Sequence, residues 1–251
     1  IIGYMCRNLI MGMSYSWWVD KHNAHHSNPH QFDMDPDIDI PLLAFSQDQA
    51  LSRRGIARLA VRYQTWLFFP MLTLSAASIR AGSYRFLYIY RQAKKPVLET
   101  ILILINLVVS LGFIFWLYGF WPGVLFIVVQ QALFGLYMAS VFAPNHKGML
   151  TLEKDQKMNF VRQQILTARN VKASPFIDFW YGGLNYQIEH HLFPNMPRNK
   201  LREAQQVVIE FCKEHDIAYH ETGMLQSYVE ILESLHEMSA PLRQKPAQAA
   251  I

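Results

Sequence analysis

The sequence has few charged residues and few cysteines. Asp, Glu, Lys and Arg make up 17% of the chain, against roughly 25% in an average soluble domain. Hydrophobic residues account for 51% and aromatic residues for 14%. This composition excludes a disordered or low-complexity protein and disfavours a soluble globule. The two cysteines, Cys6 and Cys212, lie far apart and match no metal-binding or redox spacing, so a disulfide framework is also excluded.

Charged residues are missing altogether between Thr100 and Asn145. This run is about twice the roughly 20 apolar residues that a helix needs to cross a bilayer. Residues 118–123, YGFWPG, interrupt the run with turn-forming and interfacial aromatic residues. We therefore predict a transmembrane hairpin with helices near 99–118 and 122–142. The alternative is a buried helix pair in a soluble protein, but a charge-free run leaves such helices no solvent-facing side.

Basic residues flank the predicted hairpin on both sides, whereas its central turn carries no charge. They are Arg80, Arg85, Arg91, Lys94 and Lys95 before it, and Lys147, Lys154, Lys157 and Arg162 after it. The positive-inside tendency places both ends of the hairpin in the cytoplasm. Because membrane orientation accounts for the net charge of +4, we expect no nucleic-acid partner.

A shorter apolar segment at 63–79 contains Pro70 and follows the basic residues Arg53, Arg54, Arg58 and Arg62. Positive charge on both flanks argues against a crossing, so we expect the segment to lie in the membrane interface or to dip in and return. Beyond residue 150, the stretches 201–213 and 225–238 mix charged and apolar residues at helical spacing, which predicts helices with one wet face.

Two clusters share the spacing i, i+3, i+4, which places three side chains on one face of a helix. They are His22, His25 and His26, and Gln187, His190 and His191; a separate His146 follows the second predicted membrane helix. Imidazoles gathered on one face repel each other when protonated and lack donors when neutral, and a divalent metal resolves both problems. A merely polar helix face is the alternative for the first cluster.

Five or six imidazoles exceed one tetrahedral zinc site, so two metal ions fit better. The clusters hold almost no carboxylate, and Glu189 points off the ligand face. Acids that could accept hydrogen bonds from the imidazole N–H groups are Asp20, Asp35, Asp37 and Asp178. Each of these alone is better explained as an ordinary surface acid or a helix cap.

The strings HNAHH at 22–26 and QIEHHLFP at 187–194 resemble the second and third histidine boxes of membrane fatty acid desaturases. The opening glutamine is similar to that of the acyl-lipid and front-end branch. WWVDK at 17–21 and NHKGM at 145–149 resemble bacterial acyl-CoA or acyl-lipid desaturases. The resemblance extends from about residue 8 to about residue 240.

The resemblance implies an all-α integral membrane protein with a cytoplasmic helical cap that carries a His-rich di-iron site. A desaturase domain would span 1–240, with the hairpin at about 99–142, a cytoplasmic helical region at about 143–240 and a flexible tail at 241–251. The implied iron ligands are His22, His25, His26, His146, His190 and His191, with Gln187 as a direct or water-mediated ligand and Asn145 as a weaker candidate.

The implied activity is oxygen-dependent desaturation of a fatty acyl chain, carried by CoA or by a membrane lipid, in lipid metabolism and fatty acid biosynthesis. Two iron ions and O2 as co-substrate would perform the chemistry. Since the chain has no His-Pro-Gly-Gly haem motif, electrons would come from an external ferredoxin or cytochrome b5 with an NAD(P)H reductase. The resemblance implies histidine boxes that face the cytoplasm, in a bacterial inner membrane.

Three alternatives remain open at this stage: an acyl or lipid hydroxylase on the same scaffold, a non-catalytic metal-binding membrane protein, and an inactive fragment. Desaturases of this kind carry a first histidine box before the second, whereas no histidine precedes His22. Either the chain is N-terminally truncated or the metal site is incomplete, and of the two we expect truncation.

The remaining histidines lack the context of a box, and we expect them at the surface: His30, His215, His220 and His236. Three tryptophans, Trp17, Trp18 and Trp180, are candidates either for lining an acyl tunnel or for anchoring in the membrane interface.

Overall fold

The structure, a computed structural model, describes residues 1–244 and is mostly helical, as predicted. The helices are α1 Ile2–Tyr4, α2 Tyr15–Ser27, α3 Gln47–Ser52, α4 Gly55–Arg62, α5 Gln64–Leu72, α6 Ser75–Tyr84, α7 Pro96–Tyr118, α8 Phe120–His146, α9 Phe160–Leu166, α10 Pro175–Tyr181, α11 Gln187–Leu192, α12 Leu201–Glu214, α13 Met224–Met238 and α14 Ala240–Arg243. Met5–Ile10 and Arg85–Ile89 are π-helical, and Arg198–Lys200 is a 3-10 turn. Strands β1 Asn170–Val171 and β2 Glu221–Thr222 pair in parallel.

The two longest helices correspond to the predicted hairpin. Helix α7 begins with a proline, which suits the first helical position because its missing N–H would be unpaired there. The helix ends at Tyr118, and Gly119 caps it with φ +72°. Helix α8 extends to His146, beyond the predicted end at 142. Within the described chain, these are the two helices long and apolar enough to cross a membrane, and only 6% and 11% of their apolar windows are buried. Neither helix is therefore buried inside the described chain, as the alternative of a buried helix pair would require.

The segment 63–79 forms two short helices instead of one long one. Helix α5 contains Pro70 and ends at Leu72, and α6 starts at Ser75. Neither reaches the roughly 20 residues of a membrane span. This break is consistent with the expectation that the segment does not cross.

The chain divides into two compact units, and the first contains Ile1–Asn23 and Phe69–Ala139. In this unit the buried Glu99 carboxylate of α7 accepts hydrogen bonds from Asn8 Nδ2 at 3.2 Å and from the hydroxyl of Ser14. Asn106 Nδ2 donates to the carbonyl of Leu9 at 2.9 Å. Gly12 has φ +67°, and a Cβ there would lie 2.4 Å from Asn106 Oδ1, so this close approach requires glycine.

The second unit contains Ala24–Phe68 and the chain from Ser140 onward. The buried side chains Ile165, Ile188 and Val208 join α9, α11 and α12 in one apolar cluster. The predicted amphipathic helices at 201–213 and 225–238 are confirmed as α12 and α13.

The predicted flexible tail at 241–251 starts too early. Residues 241–243 belong to α14, and Leu242 packs in a second buried cluster with Ala44, Ala50 and Val61. Residues 245–251 of that predicted tail lie outside the described residues.

Candidate metal centre

Helix α2 carries the first histidine cluster on one face, as its spacing predicts. The ring of His22 stacks on the ring of Trp18 one turn earlier, with centroids 5.2 Å apart. The Trp18 ring also contacts the guanidinium of Arg7, which lies 3.8 Å from the ring centroid. Three residues after His22 the side chain of His25 is buried.

Three buried histidines from distant parts of the second unit converge. His25 comes from α2, His146 from the last residue of α8 and His191 from α11. The Nε2 atom of His146 lies 3.3 Å from Nε2 of His25 and 3.0 Å from Nε2 of His191. All three rings therefore present the same nitrogen to one small space.

The opposite nitrogen of each ring contacts an oxygen. His25 Nδ1 lies 2.9 Å from Asp35 Oδ2, His146 Nδ1 lies 3.0 Å from the carbonyl of Thr167, and His191 Nδ1 lies 2.8 Å from Gln164 Oε1. A carbonyl and a carboxylate only accept, so Nδ1 of His25 and of His146 is the protonated nitrogen.

The amide of Gln164 is oriented by a second contact. Its Nε2 donates to the carbonyl of His26 at 3.0 Å, so its Oε1 must face His191 and accept from the ring. In the neutral form, each of the three converging Nε2 atoms consequently carries a lone pair and no proton.

Burial favours that neutral form. Burial, together with the charge that the neighbouring imidazoles would carry, holds the pKa of His191 well below its usual range. Lone pairs that point at one another repel unless a cation or a hydrogen-bond donor lies among them. Neutral imidazole nitrogens suit iron, zinc and copper, so the donor set fits a transition metal.

A second pair of imidazoles lies beside the first group. The rings of His26 and His190 are 4.8 Å apart and perpendicular, and the ring of His26 stacks on His191 with centroids 4.3 Å apart. His22 lies one turn before His26 on the same helix.

The amide side chains of Gln187 and Asn145 also reach the site. Asn145 Nδ2 donates to the carbonyl of Leu184 at 3.1 Å and to Gln187 Oε1 at 3.0 Å. This fixes the amide of Gln187, whose Nε2 then faces His146 Nε2 at 2.9 Å. Gln187 thus presents a donor to the site, while the buried Asn145 Oδ1 has no hydrogen-bond partner within the described residues.

A model of the fatty acid desaturase family matches residues 1–223. The chain belongs to the fatty acid desaturase family.

Several desaturases from eukaryotes are similar to this chain. The acyl-lipid (9-3)-desaturase of Physcomitrium patens is 32% identical over 95% of the chain and 47% of its own length. The Delta(6)-fatty-acid desaturase fat-3 of Caenorhabditis elegans is 34% identical over 96% of the chain and 57% of its own length. The Delta(8)-fatty-acid desaturase of Euglena gracilis is 28% identical over the whole chain and 62% of its own length. No solved structure matches. The chain spans about half the length of the relatives it matches.

Of the acids proposed from the sequence of this desaturase-family chain, two contact a histidine. Asp35 is buried and accepts from His25, and Asp37 Oδ2 lies 3.5 Å from the same ring nitrogen. The other two do not have this role in the structure: Asp20 is exposed, and Asp178 accepts a hydrogen bond from Asn185.

The prediction that His30 lies at the surface is wrong. Its side chain is 1% exposed, and its ring lies 5.5 Å from the ring of His146. His30 adopts φ +57° after Pro29, which turns the side chain inward, and its N–H donates to Asp35 Oδ2 at 2.8 Å. In the His30 ring, Nδ1 contacts the carbonyl of Leu150, whereas Nε2 has no hydrogen-bond partner within residues 1–244. Burial lowers the pKa of His30 to about 3.

The other histidines outside the boxes differ in exposure. His215 and His236 are exposed, as predicted. His220 is half-buried, and its Nε2 lies 2.9 Å from the Glu230 carboxylate. The Glu189 carboxylate, expected to point off the ligand face, is buried and accepts from Asn170 Nδ2 at 2.7 Å and Tyr219 OH at 2.8 Å.

Sequence reasoning missed Arg169, which is fully buried next to the end of α8. Its backbone N–H donates to the carbonyl of Asn145 at 2.8 Å, its Nε to that of Pro144 at 2.7 Å and its Nη2 to that of Lys147 at 2.8 Å. The guanidinium also forms an ion pair with the Glu230 carboxylate. Arg169 therefore donates hydrogen bonds to three backbone carbonyls next to His146 in the sequence.

Proposed function

We propose that this chain is the part of a membrane fatty acid desaturase that removes two hydrogens from adjacent methylenes of an acyl chain. Membership of the desaturase family supports the reaction class. The observation that carries the proposal is the convergence of three buried histidines: Nε2 of His146 lies 3.3 Å from Nε2 of His25 and 3.0 Å from Nε2 of His191, and each Nδ1 already contacts an oxygen. Such a donor set suits a metal and has no evident structural purpose.

We assign two irons to the site. His25, His146 and His191 would hold one, and the resemblance in the histidine boxes supports His22, His26 and His190 as ligands of the other. Bound iron supplies the activation of O2 and the abstraction of hydrogen, chemistry that side chains lack. The donor orientation of Gln187 supports a hydrogen bond to a group in the site rather than direct ligation.

The protein's own contribution is orientation and exclusion of water. Asp35, the Thr167 carbonyl and Gln164 hold the rings at fixed angles, and ligand histidines held in this way need little reorganisation. The three converging histidines are buried, which keeps bulk water from their Nε2 atoms.

The apolar helices α7 and α8 support a membrane hairpin, with α2 and α9–α13 in a cytoplasmic helical cap. We propose a desaturase domain over the predicted limits 1–240 extended to include α14, in the inner membrane of a bacterium. The absence of charge between Thr100 and Asn145 and the basic residues on both flanks support this orientation.

The substrate class follows from the relatives by analogy. Their names include acyl-lipid (9-3)-, Delta(6)- and Delta(8)-fatty-acid desaturases. We propose a fatty acyl chain carried by a lipid or by CoA, O2 as co-substrate, and an external ferredoxin or cytochrome b5 with its reductase as the electron source.

The proposal predicts that His190→Ala in the intact protein abolishes desaturation, because a ligand is lost, while membrane insertion is unchanged. Fatty acids from expressing cells, measured by mass spectrometry, should show an acyl chain lighter by about 2 Da, and this product should disappear in the variant. The matched control is His236→Ala, an exposed histidine outside the boxes, which should retain full activity.

Full desaturation by His190→Ala would contradict the ligand assignment. A product heavier by about 16 Da from the unaltered protein would show a hydroxylase on the same scaffold. Zinc at one equivalent without iron in the purified protein would favour a non-catalytic metal-binding protein.

A further inference from the structure

Three arginines line an open pocket that has no part in the metal centre. Arg58 and Arg62 lie one turn apart on α4, and Arg243 ends α14. With Leu59 and the chain at 241–244 they enclose a cavity of about 570 Å³. No acidic side chain lines it among the residues that the structure describes.

The pocket is built by core packing. Val61 on α4 is fully buried and contacts the same apolar cluster as Leu242 on α14, together with Ala44 and Ala50. This cluster holds the two short helices side by side, so the position of Arg243 relative to Arg58 is fixed by buried residues.

The guanidinium groups keep most of their hydrogen-bonding capacity. Arg58 Nη1 donates to the carbonyl of Leu51 at 3.2 Å, and Arg243 donates to the Ser239 hydroxyl and the carbonyl of His236. Within residues 1–244, none of Arg58, Arg62 and Arg243 forms an ion pair with a carboxylate. Three uncompensated positive charges around one cavity favour an anion with several acceptor oxygens, and a phosphate group fits this description.

A second groove of about 480 Å³ adjoins the arginine pocket, and Leu59 lines both. Its other walls are formed by apolar and aromatic side chains, among them Ile56, Tyr63 and Trp66. These side chains are unusually exposed: Ile56 is 83% and Trp66 81% accessible. An aromatic and aliphatic surface next to a basic one is typical of helices that lie on a membrane.

From these two adjoining surfaces we infer that Arg58, Arg62 and Arg243 form a binding site for the headgroup phosphate of an anionic phospholipid, whose acyl chain lies in the groove beside Trp66. A phospholipid is the ligand that matches both surfaces, because it joins a phosphate to an apolar tail over a short distance. This site is separate from the proposed active site and does not depend on iron or on desaturase activity.

The test measures lipid binding by the full chain, purified in a neutral detergent, using calorimetry or native mass spectrometry. The ligands are dihexanoyl phosphatidylglycerol, dihexanoyl phosphatidylcholine with the same tails, inorganic phosphate, and CoA. We expect phosphatidylglycerol to bind at least about tenfold more tightly than the other three, since it alone combines net negative charge with adjacent tails.

Changing Arg58, Arg62 and Arg243 together to Gln should weaken binding of phosphatidylglycerol on the order of 100-fold, at about 1 kcal/mol per basic residue. The matched control changes the exposed residues Arg198, Arg202 and Lys213 to Gln, which removes the same charge and should leave binding unchanged. If the first triple variant does not fold, Arg62→Glu alone provides the test, with a loss of about tenfold or more.

Trp66→Ser should weaken the binding of phosphatidylglycerol but leave the binding of inorganic phosphate unchanged. Equal affinity for phosphatidylcholine and phosphatidylglycerol, or equal losses in both triple variants, would overturn the inference. Phosphate or CoA binding as tightly as phosphatidylglycerol would show an anion site without a lipid and would overturn it as well.

Discussion

The Asp35 carboxylate joins helix α2 to two positions of the loop that follows it. Its Oδ2 accepts from His25 Nδ1 at 2.9 Å and from the N–H of His30 at 2.8 Å, and its Oδ1 accepts from the N–H of Asp37 at 2.8 Å. Burial alone would raise the pKa of Asp35, but the pKa is lowered overall, and the hydrogen bond from His25 is the main opposing effect. The carboxylate therefore stays ionised and fixes the tautomer of His25.

We predict that Asp35→Asn lowers metal affinity by about 10- to 100-fold, the usual effect of losing the partner of a ligand histidine. The asparagine retains the shape of the side chain but not the charge that holds the proton on Nδ1. Iron content of the purified protein, measured after titration with a competing chelator, gives the result.

The matched control for that change is Asp33→Asn. Asp33 is exposed and, among residues 1–244, its side chain pairs with the surface Lys154. Its φ of +63° is a conformation that asparagine tolerates. Equal iron affinity in Asp35→Asn and Asp33→Asn would show that Asp35 does not support the site.

Local residue spacing predicts part of the site but not the rest. The i, i+3, i+4 pattern identified His25, His26 and His191 because α-helical geometry alone decides which side chains share a face. The acceptors Gln164 and Thr167 come from the distant helix α9 and the residue that caps it, whose position no local pattern encodes. His30 was misplaced because a left-handed backbone conformation directs its side chain inward.

At the scale of the element, helix α8 continues through a proline close to its end. Pro144 has no N–H to pair with the carbonyl of Ser140, four residues earlier. The Tyr228 hydroxyl replaces that donor at 3.0 Å, and burial raises the pKa of Tyr228 to about 12, so the hydroxyl keeps its proton. This substitute donor explains why α8 passes the predicted end at 142 and carries His146 itself.

The last carbonyls of α8 depend on Arg169, and we predict that Arg169→Lys lowers the free energy of unfolding by about 3 kcal/mol. Lysine can retain the ion pair with Glu230 but not the two side-chain hydrogen bonds to carbonyls, and buried unpaired carbonyls cost about 1–3 kcal/mol each. Chemical unfolding in detergent measures this change. Iron content should fall as well, since His146 loses its fixed position.

Arg162→Lys is the control for Arg169→Lys. Arg162 is exposed and makes one long contact of 3.3 Å, with the carbonyl of His215. Its substitution should leave both the free energy of unfolding and the iron content unchanged. An Arg169→Lys protein with normal iron content would show that Arg169 stabilises the fold without positioning His146.

At the scale of the whole molecule, the proposed topology predicts which sites a membrane-impermeant maleimide can reach. In a Cys6→Ser background, Tyr118→Cys at the hairpin turn should be labelled in intact cells. Lys94→Cys and Lys157→Cys, on either side of the hairpin, should be labelled only after the cells are permeabilised. Cys212 is buried and should stay unreactive.

Labelling of Lys94→Cys and Lys157→Cys from opposite sides would mean that one helix crosses the bilayer instead of two, and the histidine boxes could not then share a compartment. Labelling of both from outside would reverse the proposed orientation.

Composition made the hairpin predictable, because a long run without charge has few stable environments. The arrangement of α9–α13 was not predictable beyond individual helices, because their packing depends on contacts between distant residues such as Ile165 and Val208.

The hairpin turn around Gly119 also affects how the protein enters a bilayer. Tyr118, Phe120 and Trp121 surround it without an ionised group. No charged group has to lose its hydration for the turn to cross the bilayer, and most backbone groups of α7 and α8 are already paired within each helix. Both helices can therefore insert together as one preformed unit, with an energetic barrier set mainly by the few polar side chains, such as Asn106 and Gln130, that travel with them.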